Sequence, residues 1–240
     1  MDDIETRLWH NIVILTGAGI SAESGLGTFR GADGLWEQHR VEEVATPEAF
    51  ARDPALVYRF YNARRQKLAE VEPNAAHRAL VELERGFDGG YTLVTQNVDD
   101  LHERAGSRRL LHMHGELNKM RCQHSEEVFE ALPSFTGEDL CACCSRTESL
   151  RPHVVWFGEM PLYMEEIYAL LADCDLFVAI GTSGTVYPAA GFVQIARQAG
   201  ATTLEINPDP TDASSMFEYH WRGKATEQVP RLAERILSSG

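Results

Sequence analysis

The chain has 240 residues, and 22 Lys and Arg against 36 Asp and Glu leave a net charge of −14. That balance argues against a polyanion such as nucleic acid as partner, and 44% hydrophobic with 24% charged residues excludes a disordered or fibrous chain. No run approaches the ~18 consecutive apolar residues of a membrane-spanning helix. The N-terminal stretch MDDIETRLWH is acidic, with neither the basic nor the apolar region of a signal peptide, so a cytoplasmic location is expected. The first apolar run, 12–15, ends in Thr16-Gly17-Ala18-Gly19, the pattern of a buried strand followed by a tight turn. Residues 46–86 then read as helical throughout, with starts at Thr46-Pro47, Asp53-Pro54 and Asn74. A strand at 91–95 follows, and 113–150 turns polar and cysteine-bearing, broken at Pro133 and Gly137. Runs at 154–157, 176–180 and 202–206 read as further strands covered on both faces, separated by helical patterns at 161–172 and 187–200 and closed by one at 230–237.

Strands alternating with helices predict an α/β fold, a Rossmann-like doubly wound parallel sheet. The two segments that break the alternation predict a smaller domain of residues 46–86 and 113–150, a helical insertion plus a zinc-ribbon-like piece. Residues 1–45, 87–112 and 151–240 then form the larger one.

Gly17-Ala18-Gly19 leading into Ser21-Ala22 has the outline of a dinucleotide turn, where missing side chains let backbone N–H groups approach a pyrophosphate. An ordinary strand-to-helix turn has the same letters. No acidic residue closes a second strand where the dinucleotide fingerprint wants one. Gln96, Asn97 and Asp99 stand at the C-terminal end of a predicted strand, the edge where open α/β sheets bind ligands, although Asp99 or Asp100 could equally cap the following helix. His112 and His114 flank Met113, and periodicity does not say which imidazole faces a cleft. Tyr61 and Arg64 lie three apart in a helical stretch and so share a face, where guanidinium and phenol could grip a carboxylate. Arg64 beside Arg65 and Lys67 reads equally as a solvated basic face.

Four of the five cysteines fall between Cys122 and Cys144. Against the ribbon template C-x₂-C-x₁₅₋₂₀-C-x₂-C, Cys122, Cys141 and Cys144 keep register, but Ser125 stands in place of the second ligand. Cys143, His124 or a water would complete a zinc site, and a ribbon without metal remains the alternative. Cys174 reads as a small buried hydrophobe.

Five blocks together resemble the sirtuins, the NAD-dependent protein deacylases: GAGISAESGLGTFRGADGLW (17–36), TQNVDDLHERAG (95–106), HMHGEL (112–117), RPHVVWFGE (151–159) and GTSGTVYPAAG (181–191). The chain looks most like the bacterial members of class III, the desuccinylase-like group. The resemblance implies NAD consumed as co-substrate, a structural zinc, and acyl-lysine proteins or peptides as partners, with neither nucleic acid nor membrane. The acyl-lysine oxygen would displace nicotinamide from the ribose, and the resulting alkylimidate would resolve to free lysine and O-acyl-ADP-ribose. For the cofactor it implies Gly17, Ala18, Gly19, Ser21, Ala22, Thr28, Phe29, Arg30 and Trp36. Gln96 and Asn97 would face the nicotinamide-side ribose, with Asp99 on the carboxamide. Gly181, Thr182, Ser183, Asn207, Pro208, Asp209 and the backbone near Ala225 would surround the adenosine half.

Asn97 and His114 are implied as catalytic, His114 as the base, with Gly115 giving space beside it. Val155, Trp156, Phe157, Gly158 and Glu159 would lend backbone hydrogen bonds to an extended peptide. Ala45, Tyr61 and Arg64 match the class III pattern for negatively charged acyl groups, Ala45 leaving room for a longer chain. The sequence departs from the family where Gly27 replaces a proline and Thr28 an aspartate common in other classes; the second change fits class III.

Overall fold

The structure is a computed structural model that describes residue 4 and residues 8–27, 35–36 and 39–238, of which 35–36 are described by backbone alone. The first strand, β1 (Asn11–Thr16), runs into two single 3₁₀ turns at Ala18–Ile20 and Ala22–Ser24. A short antiparallel pair, β2 (Leu35–Trp36) and β3 (His39–Arg40), precedes helices α1 (Val41–Val44), α2 (Pro47–Arg52), α3 (Pro54–Ala69) and α4 (Ala75–Gly86). Next come β4 (Gly90–Thr95), α5 (Leu101–Ala105), β5 (Leu110–His112), β6 (Gly115–Cys122), β7 (Val128–Glu130) and β8 (Leu150–Val154). The chain ends through α6 (Met164–Asp173), β9 (Leu176–Ile180), α7 (Phe192–Gln198), β10 (Thr202–Asn207), β11 (Tyr219–Arg222) and α8 (Ala225–Leu237).

Six strands pair in parallel in the order β11-β10-β9-β1-β4-β5. From β1 the chain builds outward to β4 and β5 on one side and to β9, β10 and β11 on the other, so the order reverses between β1 and β9. A crevice outside the strand ends opens at such a switch point. The apolar runs of β1, β9 and β10 are buried on both faces, because helices cover the sheet on both sides.

The helical insertion starts where expected. Thr46 Oγ1 accepts from Ala49 N at 3.0 Å and Asp53 Oδ1 from Leu56 N at 2.9 Å, each ahead of a proline at the first helical position. Asn74 caps α4, accepting from Ala76 N at 2.9 Å. The expected boundary after residue 86, however, is not where the core divides. Ala76, Ala79, Leu80 and Leu83 of α4 pack with α8 against the parallel sheet, whereas Val57, Tyr58, Phe60, Tyr61 and Leu68 of α3 join Leu117, Phe135, Leu150 and Trp156 in a second core. The apolar stripe of α4 fits the larger lobe, which its sequence neighbours do not reveal.

Three other expectations shift. The run 154–157 is not a strand of the parallel sheet: β8 ends at Val154 and pairs antiparallel with β6 in a three-stranded sheet with β7. Val154 and Trp156 are buried as predicted, but in the smaller core. The helix expected over 187–200 forms from Phe192. The last helix begins at Ala225 and carries Pro230 inside it. Burying Val229, Leu232 and Ile236, each worth about 1.5–3 kcal/mol, outweighs the roughly 3 kcal/mol of an internal proline. Among the described residues no helix is long and apolar enough to cross a membrane.

Candidate active site

The crevice at the switch point continues as one cavity of about 730 Å³ running from the glycine turn to the smaller lobe. At its floor the backbones of two crossing turns touch. Gly17 N–H donates to Ile180 O at 3.0 Å and Gly19 N–H to Gly181 O at 2.9 Å. A Cβ on Gly19 would lie 2.6 Å from Gly181 Cα, and one on Gly17 2.8 Å from Gly181 O. Gly181 itself has φ +62°, a conformation that other residues adopt at a cost. These glycines therefore serve the close crossing of β1 and β9 as well as any ligand above it. No α-helix follows the turn directly; two 3₁₀ turns do.

Above the floor a buried polar cluster joins β1, β4 and α4. Ser21 Oγ–H donates to Asp99 Oδ2 at 3.0 Å and accepts Asn97 Nδ2–H at 3.2 Å. His77 Nδ1 accepts the Asn74 N–H at 3.2 Å, which leaves its proton on Nε2, facing Ser21 Oγ at 3.4 Å. Burial holds His77 down to about 4 and so keeps it neutral. Asp99 also accepts from Leu101 N at 3.2 Å, so one carboxylate both lines the cavity and ties down the first residue of α5, whose N-cap Asp100 makes no side-chain cap. Burial raises its carboxyl pKa, against the pull of those hydrogen bonds.

The two histidines separate. His114 lines the cavity, and its Nδ1 lies 3.0 Å from the Gln96 carbonyl oxygen. A carbonyl only accepts, so the proton sits on Nδ1 and Nε2 keeps its lone pair. Burial lowers its pKa, partly offset by that hydrogen bond. His112 does not line the cavity. Its Nδ1 meets Asn97 O at 3.2 Å and its Nε2 meets Glu103 Oε1 at 2.7 Å, and the bond to Glu103 raises its pKa against the opposing effect of burial. Gly115 has φ +79°, and a Cβ there would overlap the His153 carbonyl oxygen.

At the far end the cavity is lined by Ala45, Tyr61 and Arg64 together with 154–159. Tyr61 is fully buried, and burial pushes its phenol well above the ordinary range. The stretch after β8 is tied down within the chain. Val155 N–H donates to His114 O at 2.9 Å, Phe157 N–H to Ala45 O at 3.0 Å, and Trp156 N–H to Glu159 Oε2 at 2.8 Å. Glu159 also forms a fork with Arg151, at 2.6 and 3.0 Å. Those three N–H groups are thus committed inside the protein, and any pairing with a peptide falls to the other backbone groups of the stretch. Glu159 acts there through its side chain, which sequence reading missed.

Gly17, Ala18, Gly19, Ser21, Ala22, Gln96, Asn97, Asp99, Gly181, Thr182, Ser183, Asn207, Pro208 and Ala225 also line the cavity. Asp209 does not; its carbonyl accepts from Arg222 Nη1 at 3.4 Å. Thr28, Phe29, Arg30 and the side chain of Trp36 lie outside the described residues. Lys224 and Glu23, 3.6 Å apart, also line the cavity, though the sequence had singled out neither.

In the smaller lobe the thiols of Cys122, Cys141, Cys143 and Cys144 lie within 4.8 Å of one another. Tetrahedral zinc with Zn–S near 2.3 Å places sulfurs about 3.8 Å apart, and Cys122 to Cys144 is 3.8 Å and Cys141 to Cys143 is 3.3 Å. The donor set fits zinc with Cys143 as fourth ligand; among the described residues His124 is not in the group. Ser125 Oγ instead touches Cys143 Sγ at 3.1 Å. Backbone N–H groups of Ser125 and His124 pull the Cys122 thiol down to about 5, toward the thiolate a metal needs. Cys174 is buried and donates to Leu171 O.

Residues 17–188 match the Sir2 family. A protein of Shewanella oneidensis named NAD-dependent protein deacylase is 59% identical over 233 residues, 96% of either chain. A solved Sir2 homologue in complex with NAD superposes with a TM-score of 0.88 at 43% identity, covering 96% of this chain and 91% of the other. Sir2Af2 bound to a myristoylated histone peptide gives 0.72 at 33% identity, covering 95% and 91%.

Proposed function

The chain belongs to the Sir2 family, and on that premise we propose that it is an NAD-dependent protein-lysine deacylase, removing acetyl and succinyl groups with release of nicotinamide and O-acyl-ADP-ribose. The observation that carries this reading is a single cavity in which the glycine crossing, His114 and the pair Tyr61/Arg64 meet. Its partners are acyl-lysine proteins or peptides, and its location is the cytoplasm.

NAD supplies a ribose whose anomeric carbon carries a good leaving group. The chain supplies position and proton transfer. The small residues of the crossing and the Thr182, Ser183 and Asn207 cluster accept the nucleotide, and Asn207 is held for this by its Nδ2–H on Thr182 O at 2.6 Å. Asn97, Ser21 and Asp99, locked together, orient the ribose and carboxamide end. His114, neutral and with Nε2 unprotonated, takes the proton from a ribose hydroxyl. Arg64 and Tyr61 meet the carboxylate of a succinyl chain, a charge-assisted contact that an acetyl group lacks. The larger lobe carries the nucleotide, the smaller one the acyl clamp and the zinc, the latter as a structural tie distant from the chemistry.

The test is mass-spectrometric turnover of paired acetyl-lysine and succinyl-lysine peptides with NAD. Nicotinamide and O-acyl-ADP-ribose are expected together, one per lysine freed. NADH formed without free nicotinamide would mean hydride transfer on the same sheet and defeat the proposal.

A further inference from the structure

The acyl end holds a contact that no motif pointed to. Trp156 and Tyr61 are 95 residues apart, and the indole Nε1–H donates to the Tyr61 hydroxyl at 2.9 Å in a buried setting. Trp156 cannot turn to follow its partner. The Arg151 guanidinium lies 3.4 Å from its ring centroid, Phe50 packs at 5.2 Å, and its backbone N–H is held by Glu159. Its neighbours are pinned to His114 and Ala45. Tyr61 therefore takes its orientation from Trp156.

A phenol both accepts and donates. Accepting the indole N–H engages the oxygen as an acceptor inside the protein, so toward an acyl chain Tyr61 acts as a donor. A terminal carboxylate accepts that donor; a methyl gains nothing from it.

We propose that Trp156 is a specificity-determining residue: its indole N–H on the Tyr61 oxygen fixes the phenol as a donor beside Arg64 and so favours acyl chains that end in a carboxylate. The inference rests on the reading of Tyr61 and Arg64 as a carboxylate clamp.

Trp156→Phe removes the N–H and keeps an aromatic ring. Succinyl and acetyl kcat/KM on one peptide sequence are measured for wild type, W156F, Y61F, the double variant and R64M. The succinyl-to-acetyl ratio is expected to fall roughly tenfold in W156F, the scale of one charge-assisted hydrogen bond misplaced. In the Y61F background W156F is expected to change the ratio no further, because both act through one contact. A scaffold defect lowers both substrates together and leaves the ratio alone. A W156F ratio equal to wild type, or an equal W156F effect with and without Tyr61, overturns the proposal. If Y61F and R64M lower the ratio while W156F does not, the clamp stands and only the role of Trp156 falls; if none of the three lowers it, the clamp falls and takes this proposal with it. Should W156F fail to fold, benzothienylalanine at position 156, with sulfur in place of the N–H, makes the same comparison at nearly unchanged shape.

Discussion

The two ends of the cavity are built on opposite principles. The end at the glycine turn, to which we assign the nucleotide, is backbone and small residues, where Gly17, Gly19 and Gly181 touch main chain to main chain and the crossing has no room for one more carbon. The opposite end, to which we assign the acyl group, is large side chains in mutual contact, Tyr61 on Trp156, Trp156 under Arg151, Arg151 on Glu159. One end is sensitive to atoms added, the other to atoms removed. The proposed function gives that division a reason: a general cofactor at the first end would serve every turnover alike, and a selected acyl group at the second would distinguish substrates.

The sharpest way to test the division is to strike between the ends. His114→Tyr is expected to lower turnover of both acyl groups by about 10²–10⁴-fold, read as nicotinamide release; retained activity would remove His114 as the base. At the first end, Gly19→Ala is expected to destabilise the fold by about 1–3 kcal/mol and to raise the KM for NAD equally with either peptide. Thermal melts with and without NAD check this, and an unchanged NAD affinity would break the comparison. At the second end, Arg64→Met is expected to lower the succinyl-to-acetyl ratio of kcat/KM by about 10–100-fold, the loss of a bidentate charged contact; equal losses for both peptides would make Arg64 structural.

Acidity acts on both ends through His114. Its pKa lies below the ordinary histidine value because of burial, so the base form persists as pH drops past about 6.5 and activity is lost only at lower pH. An acid limb of kcat/KM at or above that value contradicts the buried geometry. The smallest effect on turnover is expected from Cys143→Ser, which does not line the cavity. Zinc retention against a chromogenic chelator should weaken, with Tm falling about 2–4 °C per kcal/mol lost; unaltered zinc affinity would return the fourth position to another ligand.

Much of this was legible in the letters. Strands buried on both faces read as apolar runs, and Thr46-Pro47, Asp53-Pro54 and Asn74 announced their helices because caps are local chemistry. The edge strands β5 and β11 escaped: Leu110–His112 is too short and Tyr219–Arg222 half polar, as one-sided strands are. Pro230 misled because local propensity yields to a buried helix face. In the site, the order of blocks pointed to the lining residues, but not to the bonds among them. The Trp156–Tyr61 contact spans 95 positions, and the choice of His114 over His112 depends on which carbonyl each ring meets. The substitution of Cys143 for the position of Ser125 needs the loop folded back upon itself.

The glycine crossing also sets an order of assembly. Its two halves, the turn after β1 and the turn after β9, are separated by most of the chain, and the bonds between them run from residues 17 and 19 to residues 180 and 181. During synthesis, β1 can pair with β4, and β4 with β5, long before β9 exists, yet the floor of the cavity cannot close until β9 has left the ribosome. On the proposed reading the nucleotide site is therefore completed only once the turn after β9 has formed, and a nascent chain that stops short of Gly181 carries the histidine and the cysteines without the floor of that site.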